Sequence, residues 1–142
     1  MTAIPSPDAL QQTLGLVQRH EPGADGRARL EYEASMTMCH SGGVVQGGFV
    51  AGWIDAAMAM AAMSAYGADV VPMTLEMKTS YFAPARPGRV IAEGWIERRG
   101  RSTCFAEGRL LDPDGRVIAK ASTTLQLVDR ARVEAAAKAS RE

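Results

Sequence analysis

Apolar and polar residues alternate strictly from Arg29 to Met36, with Leu30, Tyr32, Ala34 and Met36 on one side and Arg29, Glu31, Glu33 and Ser35 on the other. A period of two is the pattern of a half-buried strand. Ahead of it, Ser6 stands as an N-cap before Pro7, and Leu10, Leu14 and Val17 recur at helical spacing, which predicts a short amphipathic helix over 7–18 before the Pro22-Gly23 break. Between Ala34 and Ala68 the single formally ionised side chain is Asp55, and good helix formers follow Gly47-Gly48, so the central element is a long helix over 47–66. After it come strands over 73–82, 89–98, 102–111 and 116–127, punctuated by Pro84 to Gly88, Arg99-Gly100-Arg101 and Asp112-Pro113-Asp114-Gly115. The last three read as a meander of hairpins. The polar, Ala-rich tail over 129–142 has helix propensity without a strong apolar stripe, so a solvated helix is expected there. Helix, strand, long helix and then four strands describe one α+β domain over 1–142.

Composition narrows the function classes. With 16 basic and 16 acidic residues in 142, 46% apolar and 23% charged, the chain is neither a disordered polyelectrolyte nor a typical nucleic-acid binder. The neutrality is uneven: residues 1–85 carry a formal −4 and residues 86–142 a formal +4, which gives an anionic ligand somewhere to bind. Cys39 and Cys104 make no disulfide framework, and neither has a second Cys at metal-ligand spacing, so no metal is expected. Pro5, Pro7 and Asp8 occupy the place where a signal peptide needs a basic start and an apolar run. The expectation is a cytoplasmic protein. The apolar stretch over 44–66 resembles a membrane span in length, but Asp55 near its centre costs about 2.5–3.5 kcal/mol on the insertion scale and argues against one.

That same Asp55 is the first candidate for chemistry. At about 100° per residue, Ala51, Gly52, Ala59 and Ala62 fall within about 60° of it on the helix, with Met58 and Tyr66 nearby. Small neighbours let another backbone approach and strip water from the carboxylate, the condition that suits a general base. Spacing alone accommodates equally an ordinary hydrogen-bonded or solvent-facing Asp on an Ala-rich helix. Just before the helix, Gly42-Gly43-Val44-Val45-Gln46-Gly47-Gly48 brings glycines to a helix start, where free N–H groups can hold a phosphate or polarise a carbonyl. The same residues suit a tight strand-to-helix turn, and the spacing matches neither a P-loop nor a dinucleotide fingerprint.

Taken together, His40-x-x-Gly43-x-x-Gln46-Gly47-Gly48 with Asp55 nine residues after Gln46 resembles the Asn-x-x-Gly-x-x-His-Gly-Gly…Asp/Glu signature of hotdog-fold acyl-CoA thioesterases of the phenylacetic-acid-degradation type. The strand ending in an aromatic and Pro84-Ala85, and the closing meander with Arg99-Gly100-Arg101 and Asp114-Gly115-Arg116, extend the likeness over about residues 27–128. The resemblance implies a long helix wrapped by a curved antiparallel sheet, and homodimers or dimers of dimers with active sites at the subunit interface. It also implies that the Gly47 N–H polarises the thioester carbonyl, that Asp55 activates water or attacks directly, and that a hydroxyl on the next strand, best matched by Thr74, positions the water. Gly48 and Gln46 would complete the surroundings of the carbonyl. Two positions depart from the pattern: His40 stands where Asn or Gln is usual and Gln46 where His is usual. Gln46 can hydrogen-bond but cannot donate the proton a His would.

The remaining residues are weighed around that site. His40 is a candidate to protonate the leaving group, imidazole being the side-chain type suited to proton transfer near neutrality, or simply a loop hydrogen-bonding residue. A Cys39-His40 nucleophile pair is disfavoured because adjacent residues of an extended segment point apart. Seven of the eight Met lie between Met36 and Met77. They read first as flexible core packing, with Met58 the one assigned to an acyl pocket. Arg98, Arg99 and Arg101 form the densest basic run and are the expected contact for CoA phosphates. The expected substrate is an acyl-CoA, with no cofactor apart from the CoA it carries, no nucleic acid and no membrane. The competing readings are a non-catalytic acyl-CoA-binding protein and, on the same fold, a hydratase or dehydratase.

Overall fold

The computed structural model describes residues 7–20 and 26–142. In chain order the elements are α1 (Pro7–Leu14), β1 (Leu16–Arg19), β2 (Arg27–Ala34), a 3-10 turn (Met36–Met38), β3 (Cys39–His40), β4 (Val44–Val45), α2 (Gly47–Tyr66), β5 (Val70–Tyr81), β6 (Gly88–Arg98), β7 (Thr103–Leu111), β8 (Val117–Asp129) and α3 (Arg130–Ala139). Six strands form one sheet in the order β1-β2-β6-β7-β8-β5, each neighbouring pair antiparallel, and β3 and β4 make a small separate ribbon. One long helix packed on such a sheet is the expected hotdog architecture.

The core forms where α2 lies on the inner face of the sheet. Trp53, Ile54, Ala57, Met58, Ala61 and Ala62 of α2 are buried, facing Leu30, Tyr32, Ala92, Cys104, Leu110 and Leu125 of the strands. The approach is close because β6 presents no side chain at Gly94. A Cβ there would lie 2.6 Å from the Ala57 carbonyl carbon and oxygen, so the helix backbone rests where a side chain would stand. Met58, expected to line an acyl pocket, is instead wholly buried in this core, since its step around the helix from Ile54 and towards Ala61 and Ala62 turns it to the sheet. By length and composition α2 passes for a membrane span, yet it is the core helix of this domain.

Two local expectations change. The first helix ends at Leu14, because Gly15 turns the chain at φ +81° into β1, so Val17 lies on an edge strand rather than a helix face. Met36 leaves the strand alternation for the 3-10 turn and is 65% exposed. The proposed Ser6 cap and the Pro22-Gly23 break lie outside the described residues. The turn from α1 to β1 also serves the core: the Trp53 indole N–H donates to the Leu14 carbonyl at 2.8 Å, and the Tyr32 hydroxyl donates to Gln11 Oε1 at 2.9 Å. Those bonds satisfy the polar ends of two stacked, fully buried rings whose centroids are 5.9 Å apart. At the other terminus, α3 buries none of its residues and is capped by Asp129, whose carboxylate accepts from the Arg132 N–H at 3.2 Å.

Candidate active site

Asp55 projects from the middle of α2, half-buried, towards β5. There the Thr74 hydroxyl donates to Asp55 Oδ1 at 2.8 Å. The contact depends on an irregularity in the sheet. Thr74 pairs with Leu125 of β8 and Glu76 with Thr124, which leaves Leu75 as an extra residue between them. Downstream of this bulge Met77, opposite buried Thr123, faces α2 while Glu76 and Lys78 face outward. Upstream, the parity is reversed, and Thr74 shares the helix side with buried Leu125.

The start of α2 is a second cluster. Gln46 is its N-cap residue, and the first helical bonds are the Phe49 and Val50 N–H groups donating to the Gln46 carbonyl at 3.0 and 3.5 Å. Gly47 and Gly48 therefore stand at the positions whose N–H groups precede the intrahelical ladder and point out of the helix end. His40, Gly47 and Tyr81 line one cavity of about 380 Å³ together with Val44, Val50 and Phe82. The Tyr81 hydroxyl donates to the Gly47 carbonyl at 2.8 Å, and a Cβ on Gly47 would lie 3.3 Å from the Tyr81 ring. Position 47 thus has room for a backbone and little more. Gln46 folds back over its neighbour, since a Cβ on Gly48 would lie 2.7 Å from Gln46 Oε1.

These two clusters are brought together with neither each other nor the arginine run. Asp55 follows Gly47 by eight residues on one helix, which at about 1.5 Å per residue separates them by about 12 Å along the axis. Arg98, Arg99 and Arg101 are exposed at the turn between β6 and β7. That turn is fastened to the far end of α2: the Tyr66 hydroxyl donates to the Gly100 carbonyl at 2.7 Å and the Arg99 guanidinium sits 4.6 Å from the Tyr66 ring centroid. Tyr66 is about 28 Å from Gly47 along the helix. Of the cysteines, Cys104 is buried and its thiol is pushed up by that burial, while Cys39 donates weakly to the Ser35 carbonyl at 3.5 Å. Among the described residues no group of three or more His, Cys, Asp or Glu is arranged to hold a metal.

Tyr81 was not among the residues singled out from the sequence. Its only sequence signal is its place near the aromatic end of the strand before Pro84-Ala85. A second cavity, where Arg86, Arg89 and Arg116 converge, draws on segments far apart in sequence and has no such signal.

A profile of the thioesterase superfamily matches residues 42–119. A Saccharolobus solfataricus protein named as a "putative esterase" is 31% identical over 96 residues, 68% of each chain. Among solved structures, a phenylacetic acid degradation-related protein of Ralstonia eutropha JMP134 is 30% identical over 87% of this chain and 92% of that one, with a TM-score of 0.78. The PaaI protein of the Escherichia coli phenylacetic acid degradation operon, 16% identical over 86% of each chain, shares the fold at a TM-score of 0.78.

Proposed function

Because the chain belongs to the thioesterase superfamily and is a PaaI-like hotdog thioester hydrolase, we propose that it cleaves acyl-CoA thioesters at sites built from two copies of itself. The observation that carries this reading is the hydrogen bond from Thr74 to Asp55, which holds a half-buried carboxylate at mid-helix beside an open strand. Asp55 Oδ2 accepts no hydrogen bond from the described residues and is the atom that takes a proton from the attacking water. The water oxygen bonds to the thioester carbon, and the carbonyl becomes an oxyanion held by the Gly47 N–H, with the Gly48 N–H beside it. Collapse of the tetrahedral intermediate breaks the C–S bond and releases the acid. The departing thiolate takes the proton that Asp55 removed from water, which restores the carboxylate, with the His40 imidazole lining the Gly47 cavity as a further hydrogen-bonding group for the leaving sulfur.

An axial gap of about 12 Å is too wide for one chain's Asp55 and Gly47 to act on the same carbonyl. A second copy supplies the missing partner. The outer edge of β5 has no neighbouring strand among the described residues, and it exposes Met73, Leu75 and Tyr81 at 44%, 60% and 53%, with Phe82 beyond it at 59%. A long apolar edge of this kind favours pairing with its own copy. Antiparallel pairing of two β5 strands turns the helices head to tail and brings Asp55 of each towards Gly47 of the other.

The direct test is thiol release from short, medium, long and aromatic acyl-CoAs by the protein and by Asp55→Ala. Turnover of at least one acyl-CoA, lost in the variant, is the expected result. Equal activity in both proteins would overturn the assigned role of Asp55.

A further inference from the structure

Within one chain the arginines expected to meet phosphates lie at the far end of α2 from Gly47, while three others border a cavity next to it. Arg86, Arg89 and Arg116 line a space of about 340 Å³ that shares Ala83 and Pro84 with the cavity containing His40 and Gly47. The two spaces therefore adjoin across the chain that leaves β5. Their charges are not equally committed. Arg89 is balanced by Glu31 and Glu33, at 3.4 and 3.5 Å. Arg86 makes one long bond of 3.3 Å to the Gly42 carbonyl, on the loop that follows His40. The Arg116 guanidinium has no hydrogen bond or ion pair with the described residues. Asp112 is the one carboxylate in the lining, and its Oδ1 is occupied by the N–H groups of Asp114 and Arg116, both at 2.9 Å. The rest of the wall is apolar and includes Pro84, Pro87, Pro113, Val90 and Ile118.

An apolar, proline-lined cleft with one unpaired guanidinium and a second held by a single long bond matches a ligand that has both a flat ring and phosphates. On the reading of the site given above, which this inference takes as its basis, we infer that the cavity bordered by Arg86 and Arg116 receives the phosphorylated nucleotide end of the CoA thioester whose carbonyl rests on Gly47. The thiol arm crosses from one cavity to the other over Ala83 and Pro84. Arg89, held by its two glutamates, shapes the wall and adds little net attraction. Within its own chain the turn bearing Arg99 and Arg101 fastens α2, and the phosphates are assigned to Arg86 and Arg116.

The experiment compares Arg86→Ala/Arg116→Ala with Arg99→Ala/Arg101→Ala on the full chain, using two substrates with the same acyl group: the CoA thioester, and the N-acetylcysteamine thioester, which lacks phosphates. The first variant is expected to raise KM for the CoA substrate about 10-fold or more, and to leave kcat/KM for the phosphate-free substrate within about 2-fold. The second variant changes neither. Calorimetric titration with adenosine 3′,5′-bisphosphate should show binding weakened about 10-fold in the first variant only. A loss confined to Arg99→Ala/Arg101→Ala, an equal loss on both thioesters, or unchanged binding of the bisphosphate would overturn the inference. The titration needs no turnover, so a protein that binds the bisphosphate through these arginines but hydrolyses no thioester would refute the proposed reaction and leave the anion site standing.

Discussion

The Thr74 hydroxyl reaches Asp55 Oδ1 at 2.8 Å only because β5 changes parity at Leu75. Were Leu75 to take a regular place in the ladder, strict alternation back from Met77 would put Leu75 on the helix side and turn Thr74 away. Removing the hydroxyl while keeping the shape, in Thr74→Val, is expected to lower kcat about 10-fold or more, with Thr74→Ser keeping most of the activity. Steady-state thiol release, with circular dichroism to establish folding, decides this, and a fully active Thr74→Val would remove Thr74 from the mechanism.

A site shared between copies predicts complementation. Asp55→Ala and Gly47→Val chains are each expected to be inactive alone, but in a mixed dimer one of the two sites combines an intact Asp55 with an intact Gly47. Unfolding and refolding an equal mixture should recover about a quarter of the normal activity, because about half the dimers are mixed and each has one good site. No recovery, despite mixed dimers seen by native mass spectrometry, would mean that each chain acts alone. Charge on the edge gives a parallel check: Met73→Lys/Leu75→Lys should shift the protein to monomer in sedimentation and abolish turnover together.

Tyr81 and Gly47 are predicted to act as a pair. The carbonyl that accepts the Tyr81 hydroxyl belongs to the same peptide unit as the Gly48 N–H, so the bond orients that unit and strengthens its donor. Tyr81→Phe should reduce kcat about 3–10-fold with little change in KM. Gly47→Ala pushes a methyl towards the ring at 3.3 Å and should cost more. Adding Tyr81→Ala to Gly47→Ala relieves the crowding, so the double variant should fall short of the sum of the single effects. Additive losses would show that the two residues are not coupled.

Acid should weaken the outer face of the sheet through Glu93. It stands directly opposite Arg29 on β2 and Arg109 on β7, and bonds both, at 3.0 and 2.8 Å. Burial works against its ionisation, but the hydrogen bonds and charges of Arg109 and then Arg29 outweigh burial and hold the carboxyl below its ordinary value. A lowered folded pKa contributes stability that is present above the unfolded value, about 4.3, and is lost as pH falls through the folded one. Glu93→Gln is expected to cost about 1 kcal/mol at pH 7, discounted for the half-exposed arginines, and nearly nothing near pH 2. Urea unfolding at both pH values measures the difference; a constant gap would discount the ion pairs.

Much of the fold was legible because its signals are local. Alternation from Arg29 onward marked β2, the near-absence of charge around Asp55 marked a buried α2, and Pro, Gly and Asp clusters marked the turns of the meander. A side chain's face follows from its neighbours two or four residues away, so these periods are written in the chain itself. Edge strand β1 was hidden because four residues after Gly15 are too few for a period to emerge. The core position of Met58 is not legible in the sequence, because an Ala-rich helix with apolar residues on most sides does not announce which side meets the sheet.

Within the candidate site, the residue types and their order were readable, along with the Gly-Gly start and the lone carboxylate. What the chain could not state is how these groups meet. A bulge at Leu75 leaves Thr74 facing Asp55, Tyr81 comes back over Gly47 from 34 residues away, and the β5–β6 connection and the β7–β8 turn bring Arg86 and Arg116 to one cavity. Such contacts depend on strand register and on the close seat of α2 at Gly94, and both are set by pairing and packing between distant segments rather than by any local period.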